Sequence, residues 1–422
     1  MIISREINEK ITPWLKTEKI IIIKGSRQTG KTTLLNSIKE NLEKKGELTF
    51  YISAEQRYAK NILLSPDHLI DSIKEKYDLE KEFVFIFIDE FQYIKKAGLF
   101  LKELFDRYKK NIQLIVSGSS SLEISKNTEF LTGRKIEFTL QPFNFTEFLL
   151  SKNVNFNTQK FNLNELRKNF KKIKIFYDLH KEFLENALQE YIIYGGYPES
   201  AIEKDKEKKK IILNDIITTY IEKDIATFQD IENLSAYEKL IRLCSSQTSN
   251  LLNKNKLSND LEISAPTVKK YLKILEGTYI LKLLNPYSTN VRKQLTKMPK
   301  IYLEDLGVRS TILNDFYIPE ENLGHLVETF IYIHLPHEFY VKKYFYRTLG
   351  GLEVDFLIEG PDLKAAIEVK YRPKIDKTPI SLERFASENK HSQKIVATKN
   401  QLEVHKDTFF IPTVLFPFLK LS

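Results

Sequence analysis

The sequence predicts an α/β protein that opens on a parallel sheet and ends in a second region of mixed helix and strand. Three observations carry this. Apolar runs alternate with amphipathic stretches over the first 140 residues, a glycine-rich turn follows the first run, and a later run ends in two adjacent acids. The strand candidates are residues 20–23, 48–52, 83–88, 112–116 and 136–140. From 141 to 235 the pattern is helical and lysine-rich, punctuated by Tyr194-Gly195-Gly196-Tyr197-Pro198. Residues 236–310 read as short helices and a hairpin, and residues 311–422 return to helix and strand. The expected domains are therefore 1–140, 141–235, 236–310 and 311–422.

Composition narrows the class. The chain has 422 residues, 42% of them hydrophobic and 29% charged, which suits several buried cores in a soluble protein. A single cysteine excludes a disulfide framework and a cysteine-rich zinc site, and fits a reducing cytoplasm. The longest apolar run, 83–88, is too short to cross a bilayer, and the opening MIISREINEK lacks a signal-peptide core. A cytoplasmic protein with no membrane partner is expected. Formal net charge is +9 and unevenly spread. Residues 252–300 hold ten Lys/Arg against three Asp/Glu, which reads either as a nucleic-acid footprint or as a solvated lysine face. Cys244, beside Leu240 and Leu243, belongs to a core pattern, and Trp14 is expected to pack the opening segment against the sheet.

Gly25-Ser26-Arg27-Gln28-Thr29-Gly30-Lys31-Thr32 fits G-x-x-x-x-G-K-[ST] at every fixed position, after an apolar strand and before the helical pattern of Leu34, Leu35 and Ile38. The glycines let the backbone from Gly25 to Thr33 curl so that its N–H groups face phosphate oxygens, and the helix N-terminus adds a favourable dipole. Lys31 would reach the β- and γ-phosphates and the Thr32 hydroxyl would ligate Mg²⁺. The acids Asp89 and Glu90 complete the set. Asp89 would hold Mg²⁺ through its water shell, and Glu90 would position or activate the attacking water. ATP and Mg²⁺ are the expected cofactors.

The order of this loop, Asp89-Glu90-Phe91-Gln92, Ile115-Val116-Ser117-Gly118-Ser119-Ser120-Ser121 and Gly133-Arg134 resembles AAA-type P-loop ATPases of archaea and bacteria. In these the ATPase is fused to a carboxy-terminal region of poorly known function. The resemblance implies a P-loop NTPase sheet with a helical lid, ATP hydrolysis and scope for a homo-oligomer. By it, Ser117 or Ser119 is a polar sensor of the γ-phosphate, or else part of a turn. Arg134 is an arginine finger serving a neighbouring subunit, or else a loop cation. The likeness runs on through Gln141-Pro142-Phe143, Tyr194–Pro198 and Tyr220-Ile221-Glu222-Lys223-Asp224, without evident chemistry there.

In the basic stretch, 257–264 reads as a helix and turn, and 265–276 as a second helix capped by Ser264, with Pro266 in its first turn. Val268, Leu272 and Leu275 form a core stripe and leave Thr267, Lys269, Lys270 and Lys273 outward. With a hairpin after it carrying Arg292, Lys293 and Lys297, the segment looks like a winged helix-turn-helix. Few side chains there suit base edges, so DNA contact would be to phosphates and non-specific; the alternative is a packing or protein-contact module.

Further on, alternation puts Val354, Phe356 and Ile358 on one face of a strand and Asp355 on the other. A second strand turns Glu368 and Lys370 away from Ile367 and Val369. Asp-x(n)-Glu-x-Lys on neighbouring strands resembles the PD-(D/E)XK nucleases, a restriction-endonuclease-like α/β fold. There the two carboxylates hold Mg²⁺ and the lysine orients water or steadies developing charge. Glu328 matches that group's acidic helix position. It lies in a helix apolar nearly all round, so it should be paired or metal-bound. Two functions follow: an ATPase that acts on DNA through the winged helix and the nuclease-like domain, or an ATP-controlled switch whose rear half binds DNA or protein and cuts nothing.

Overall fold

The computed structural model describes all residues except 1–2, 120–128, 226–230, 289, 291–293, 295–296, 319, 337–339, 349, 362–363, 390–391 and 421–422. Ser120, Ser121, Arg292 and Lys293 therefore lie outside the described residues. The chain divides into two compact units, Met1–Phe143 with Gly277–Tyr279, and Asn144–Glu276 with Ile280–Ser422. Among the described residues no helix is long and apolar enough to cross a membrane.

The first unit is built on a parallel sheet of β1 (Ile20–Lys24), β2 (Leu48–Ser53), β3 (Val84–Asp89), β4 (Ile112–Gly118) and β5 (Lys135–Thr139), in the order β2-β3-β4-β1-β5. Each falls within a residue or two of its sequence candidate. Alternation is visible in the cores. Ile20, Ile22, Ile86, Ile88 and Val116 face Leu101 and Leu104 of the helix Ala97–Tyr108, while Ile21, Ile23, Phe85, Phe87 and Ile115 face Leu34, Leu35 and Ile38 of the helix Lys31–Glu43. Burial on both faces is why these strands read as unbroken apolar runs.

Trp14 does not pack inward; it is 36% exposed. The segment is tied down instead by buried Gln113, whose amide donates to the carbonyls of Trp14, Thr17 and Lys19 and accepts from the Lys16 N–H. A short loop needs its carbonyls answered more than it needs one ring buried.

The second unit begins with the helix Phe145–Lys152, capped by Asn144, followed by β6 (Phe161–Asn162) and the long helix Leu166–Tyr194. Helices Leu234–Ser246, Lys254–Leu261 and Ala265–Gly277 then lead into the antiparallel hairpin of β7 (Leu281–Leu284) and β8 (Lys300–Leu303). Ser264 caps the third of these helices by accepting from the Thr267 N–H, and Tyr271 and Ile274 join Val268, Leu272 and Leu275 in the core. Lys269 and Lys273 are exposed and Lys270 is half-buried. After the helix Leu323–His334 come β9 (Lys342–Arg347), β10 (Glu353–Glu359), β11 (Lys364–Val369), the helix Ile380–Glu388, β12 (Gln393–Thr398), β13 (Glu403–His405) and β14 (Thr408–Pro412). The sheet order is β13-β14-β12-β11-β10-β9.

Just after β7, Pro286 bridges to Phe345 of β9, and the Tyr287 ring packs on Tyr344 and Phe385. One expectation changes here. The β10 alternation is interrupted by a bulge between Val354 and Leu357. Leu357 joins Val354 beneath the helix Ile380–Glu388, whereas Phe356 turns to Tyr302 and Tyr332.

Gly195 and Gly196 also gain a reason. Gly195 has φ +67° and leaves no room for a Cβ beside the Asp305 carboxylate. Asp305 accepts from Gly196 N–H at 2.7 Å and from Val308 N–H at 3.0 Å, capping the helix Leu306–Leu313. Burial raises its pKa to about 6 against these bonds.

Candidate functional sites

The phosphate loop leaves β1 at Lys24 and enters the helix through Gly30, at φ 90°. Gly25 sits where a Cβ would lie 2.2 Å from Leu140 O, so the loop's first turn needs glycine for space. Thr29 is buried, and its hydroxyl donates to Ser26 O at 2.9 Å. Its carbonyl accepts from Arg5, which also reaches Gln141 O at 2.6 Å and stacks on Phe143. Arg5 thus braces the loop from behind, and Thr29 is part of that brace. Arg27 is half-buried, while Gln28, Thr32 and Thr33 are exposed at the loop and the first helical turn. The Lys31 ammonium is buried and donates to Ser26 O at 2.9 Å and Gly25 O at 3.2 Å, inside the curl of the loop.

Facing the loop, Asp89 collects three hydroxyls. Thr32 Oγ1 donates to Oδ2 at 2.6 Å, Tyr51 donates to the same oxygen at 3.2 Å, and Ser117 donates to Oδ1. Burial, reinforced by the Asp89 charge, lifts the Tyr51 phenol well above its ordinary range, so it remains a donor. Glu90 has φ 52°, its N–H donates to Ser117 Oγ, and its carboxylate accepts from Gln92, which also donates to Ser119. Fully buried Ser117 therefore holds the two acids in place. Thr32 and Asp89 offer hard oxygen donors side by side, a set that fits Mg²⁺. Arg134 lies on its own unit's surface, gripped through two nitrogens by Asp106 at 2.6 and 3.1 Å. Arg5 and Tyr51 carry no motif, and only their partners in space mark them.

In the second unit the predicted carboxylates converge. Asp355 Oδ2 accepts from Val369 N–H at 2.8 Å. Glu368 pairs with Lys370 at 2.8 Å and accepts from Ser381 at 3.1 Å. Glu328 accepts from Tyr302 at 2.6 Å and from Lys300 at 2.9 Å. Lys300, absent from the sequence assignment, also meets Glu353 at 2.5 Å and Asp355 at 3.3 Å. Burial pushes both Glu328 and Glu368 upward, and the nearby Asp355 charge adds to it. For Lys300 burial works against the charge, but Glu328, Asp355 and Glu353 outweigh it and hold the ammonium above its usual range. Lys370 is raised too, with Glu368 overcoming its burial. Among the described residues no group of three or more His, Cys, Asp or Glu is arranged to hold a metal ion. As the cluster stands, Glu328, Asp355 and Glu368 do not fit one.

Residues 17–149 match the family model described as an AAA domain, and residues 185–316 and 323–416 match two domains of unknown function, DUF8612 and DUF4143. The chain is similar to an uncharacterized protein of Methanocaldococcus jannaschii, 28% identical over 378 residues, covering 88% of this chain and 78% of that protein. It is also similar to one of Haemophilus influenzae, 24% identical over 271 residues, covering 63% of this chain and 60% of the relative. Among solved structures, AMPPCP-bound DnaA from Aquifex aeolicus aligns at 17% identity over 65% of this chain and 89% of that one, with a TM-score of 0.27. The AAA match spans the parallel sheet and its phosphate loop, so in sequence this part of the chain is similar to AAA domains.

Proposed function

We propose that the protein is a Mg²⁺-dependent ATPase of AAA type that uses ATP to control a DNA-binding carboxy-terminal half. The observation that carries the first part is Asp89, aligned by Thr32, Tyr51 and Ser117 beside a complete phosphate loop. When bound, Mg²⁺ would supply charge neutralisation at the β- and γ-phosphates, held by Thr32 and Asp89. Lys31 would exchange its contacts with the Gly25 and Ser26 carbonyls for phosphate oxygens. Glu90, steadied by Gln92 and by its N–H bond to Ser117, would orient the attacking water and accept its proton. In a homo-oligomer, Arg134 would have to leave Asp106 before it could serve a neighbour.

DNA binding rests on Lys269 and Lys273, exposed on a capped helix of a helix-turn-helix arrangement, and it would be to phosphates. The order helix, three strands, helix, strand from Leu323 to Thr398, with Asp355, Glu368 and Lys370 close together, supports a nuclease-like scaffold for the last domain.

The test is ATP turnover with Mg²⁺ in wild type and Glu90→Gln. The variant should bind ATP as wild type does and lose turnover by about 10²-fold or more, as expected for removal of a general base. Unchanged turnover would remove Glu90 from the mechanism.

A further inference from the structure

Two of the carboxylates that the sequence assigns to a metal, Glu328 and Asp355, are answered by an ammonium group. Lys300 is 3% exposed, and its Nζ lies within 3.3 Å of an oxygen on each of Glu328, Glu353 and Asp355. An ammonium has three N–H donors, and three carboxylates surround this one. We infer that Lys300 permanently holds the cation position of this cluster, so that the domain is closed to divalent metal and serves as a scaffold that binds without hydrolysing phosphodiesters.

Three features support a permanent occupant. Seven of the eight oxygens on Glu328, Glu353, Asp355 and Glu368 have a partner within the protein, counting Arg347 on Glu353, Val369 N–H on Asp355, and Lys370 and Ser381 on Glu368. The charges nearly cancel, because Lys300, Lys370 and Arg347 oppose four carboxylates, and little net charge is left to draw a divalent ion. Finally, the strand that carries Lys300 is held along both edges. It pairs with β7 on one side, and on the other Ile301 exchanges bonds with Ser249 and Asn250 while Pro299 O accepts from Leu252. Withdrawing the ammonium would take the cation away from buried Glu328 and half-buried Asp355 and Glu353, or unzip that strand.

Lys300 falls in the segment matching one domain of unknown function, and Glu328, Glu353, Asp355 and Glu368 fall in the other. Its role is thus invisible to either segment read alone. This inference does not depend on the ATP site, and the two fail separately: Glu90→Gln reports on the first, metal uptake on the second.

The experiment is a Tb³⁺ titration of the full chain without nucleotide, in an Asp89→Asn background that disables the other metal site. Emission is sensitised by Tyr302 and Tyr332, which stack at 4.1 Å beside Glu328. Without further change the protein should give no saturable tyrosine-sensitised signal, and adding Asp355→Asn should alter nothing. Lys300→Met should create a site at least about tenfold tighter, lost again in Lys300→Met/Asp355→Asn. If Lys300→Met does not fold, the parent and Asp355→Asn titrations, with Mn²⁺ shifting the parent's Tm by less than about 1 °C, still decide. A saturable parent signal abolished by Asp355→Asn, or equal affinities in parent and Lys300→Met, would overturn the inference.

Discussion

Gly25→Ala tests whether the phosphate loop is held where the nucleotide site needs it. The added Cβ would lie 2.2 Å from Leu140 O and 3.1 Å from Leu140 C, against an optimal separation of about 3.5 Å. Leu140 has little freedom to give way, since it is buried and its N–H donates to Lys24 O at 2.6 Å. Relief therefore means pulling Leu140 from the end of β1 or lifting the first turn of the loop. Overpacking costs about 1–3 kcal/mol and the strained hydrogen bond about 0.5–1.5 kcal/mol, giving roughly 2–4 kcal/mol together. For a unit of this size that lowers Tm by on the order of 10 °C. Gly46→Ala is the control: its φ is +80° with nothing within 4 Å, so only about 1 kcal/mol of backbone strain applies. Thermal unfolding and ATP binding would be measured on both. A Gly25→Ala protein that melts within about 2 °C of wild type and binds ATP equally would refute the packing account.

Other expectations concern the second unit. The Asp305 pKa of about 6 stands above the ordinary carboxyl value of 3.8, so the folded state holds its proton longer and stability falls as pH rises from about 4 to 6. The stability advantage of wild type over Asp305→Asn should shrink by on the order of 3 kcal/mol across that window in denaturant melts, and a pH-independent gap would exclude buried ionisation there. If the exposed helix meets DNA phosphates, replacing Lys269 and Lys273 by alanine should reduce the slope of log affinity against log salt by roughly one per lysine. A slope that stays the same would take these lysines off the interface.

The first unit was legible because its strands are buried on both faces and its loop carries a contiguous pattern that few other structures require. Strand candidates, the loop and the acids at 89 and 90 all follow from local sequence. What was hidden depends on partners distant in the chain. Arg5 reaches Thr29 and Gln141, Gln113 holds the opening segment, and Lys300 reaches Glu328, Glu353 and Asp355. No spacing rule joins such residues. Glu328 was a half-success: an acid in an apolar helix had to be paired or metal-bound, and pairing with Lys300 and Tyr302 is what the fold supplies. Alternation misplaced Phe356 because a bulge inserts a residue without a compositional mark. The basic residues of the hairpin segment are countable in the sequence, whereas the packing of Tyr287 on Tyr344 and Phe385 is not.

Calorimetric titration of ATP with Mg²⁺ into wild type and Lys31→Ala bears most directly on the claim that the Gly25–Thr33 loop and Asp89 form a nucleotide site. Wild type should bind one ATP per chain, and Lys31→Ala should weaken binding by about tenfold or more through loss of a charge-assisted contact. Heat of binding absent from wild type, or identical isotherms for the two proteins, would contradict it.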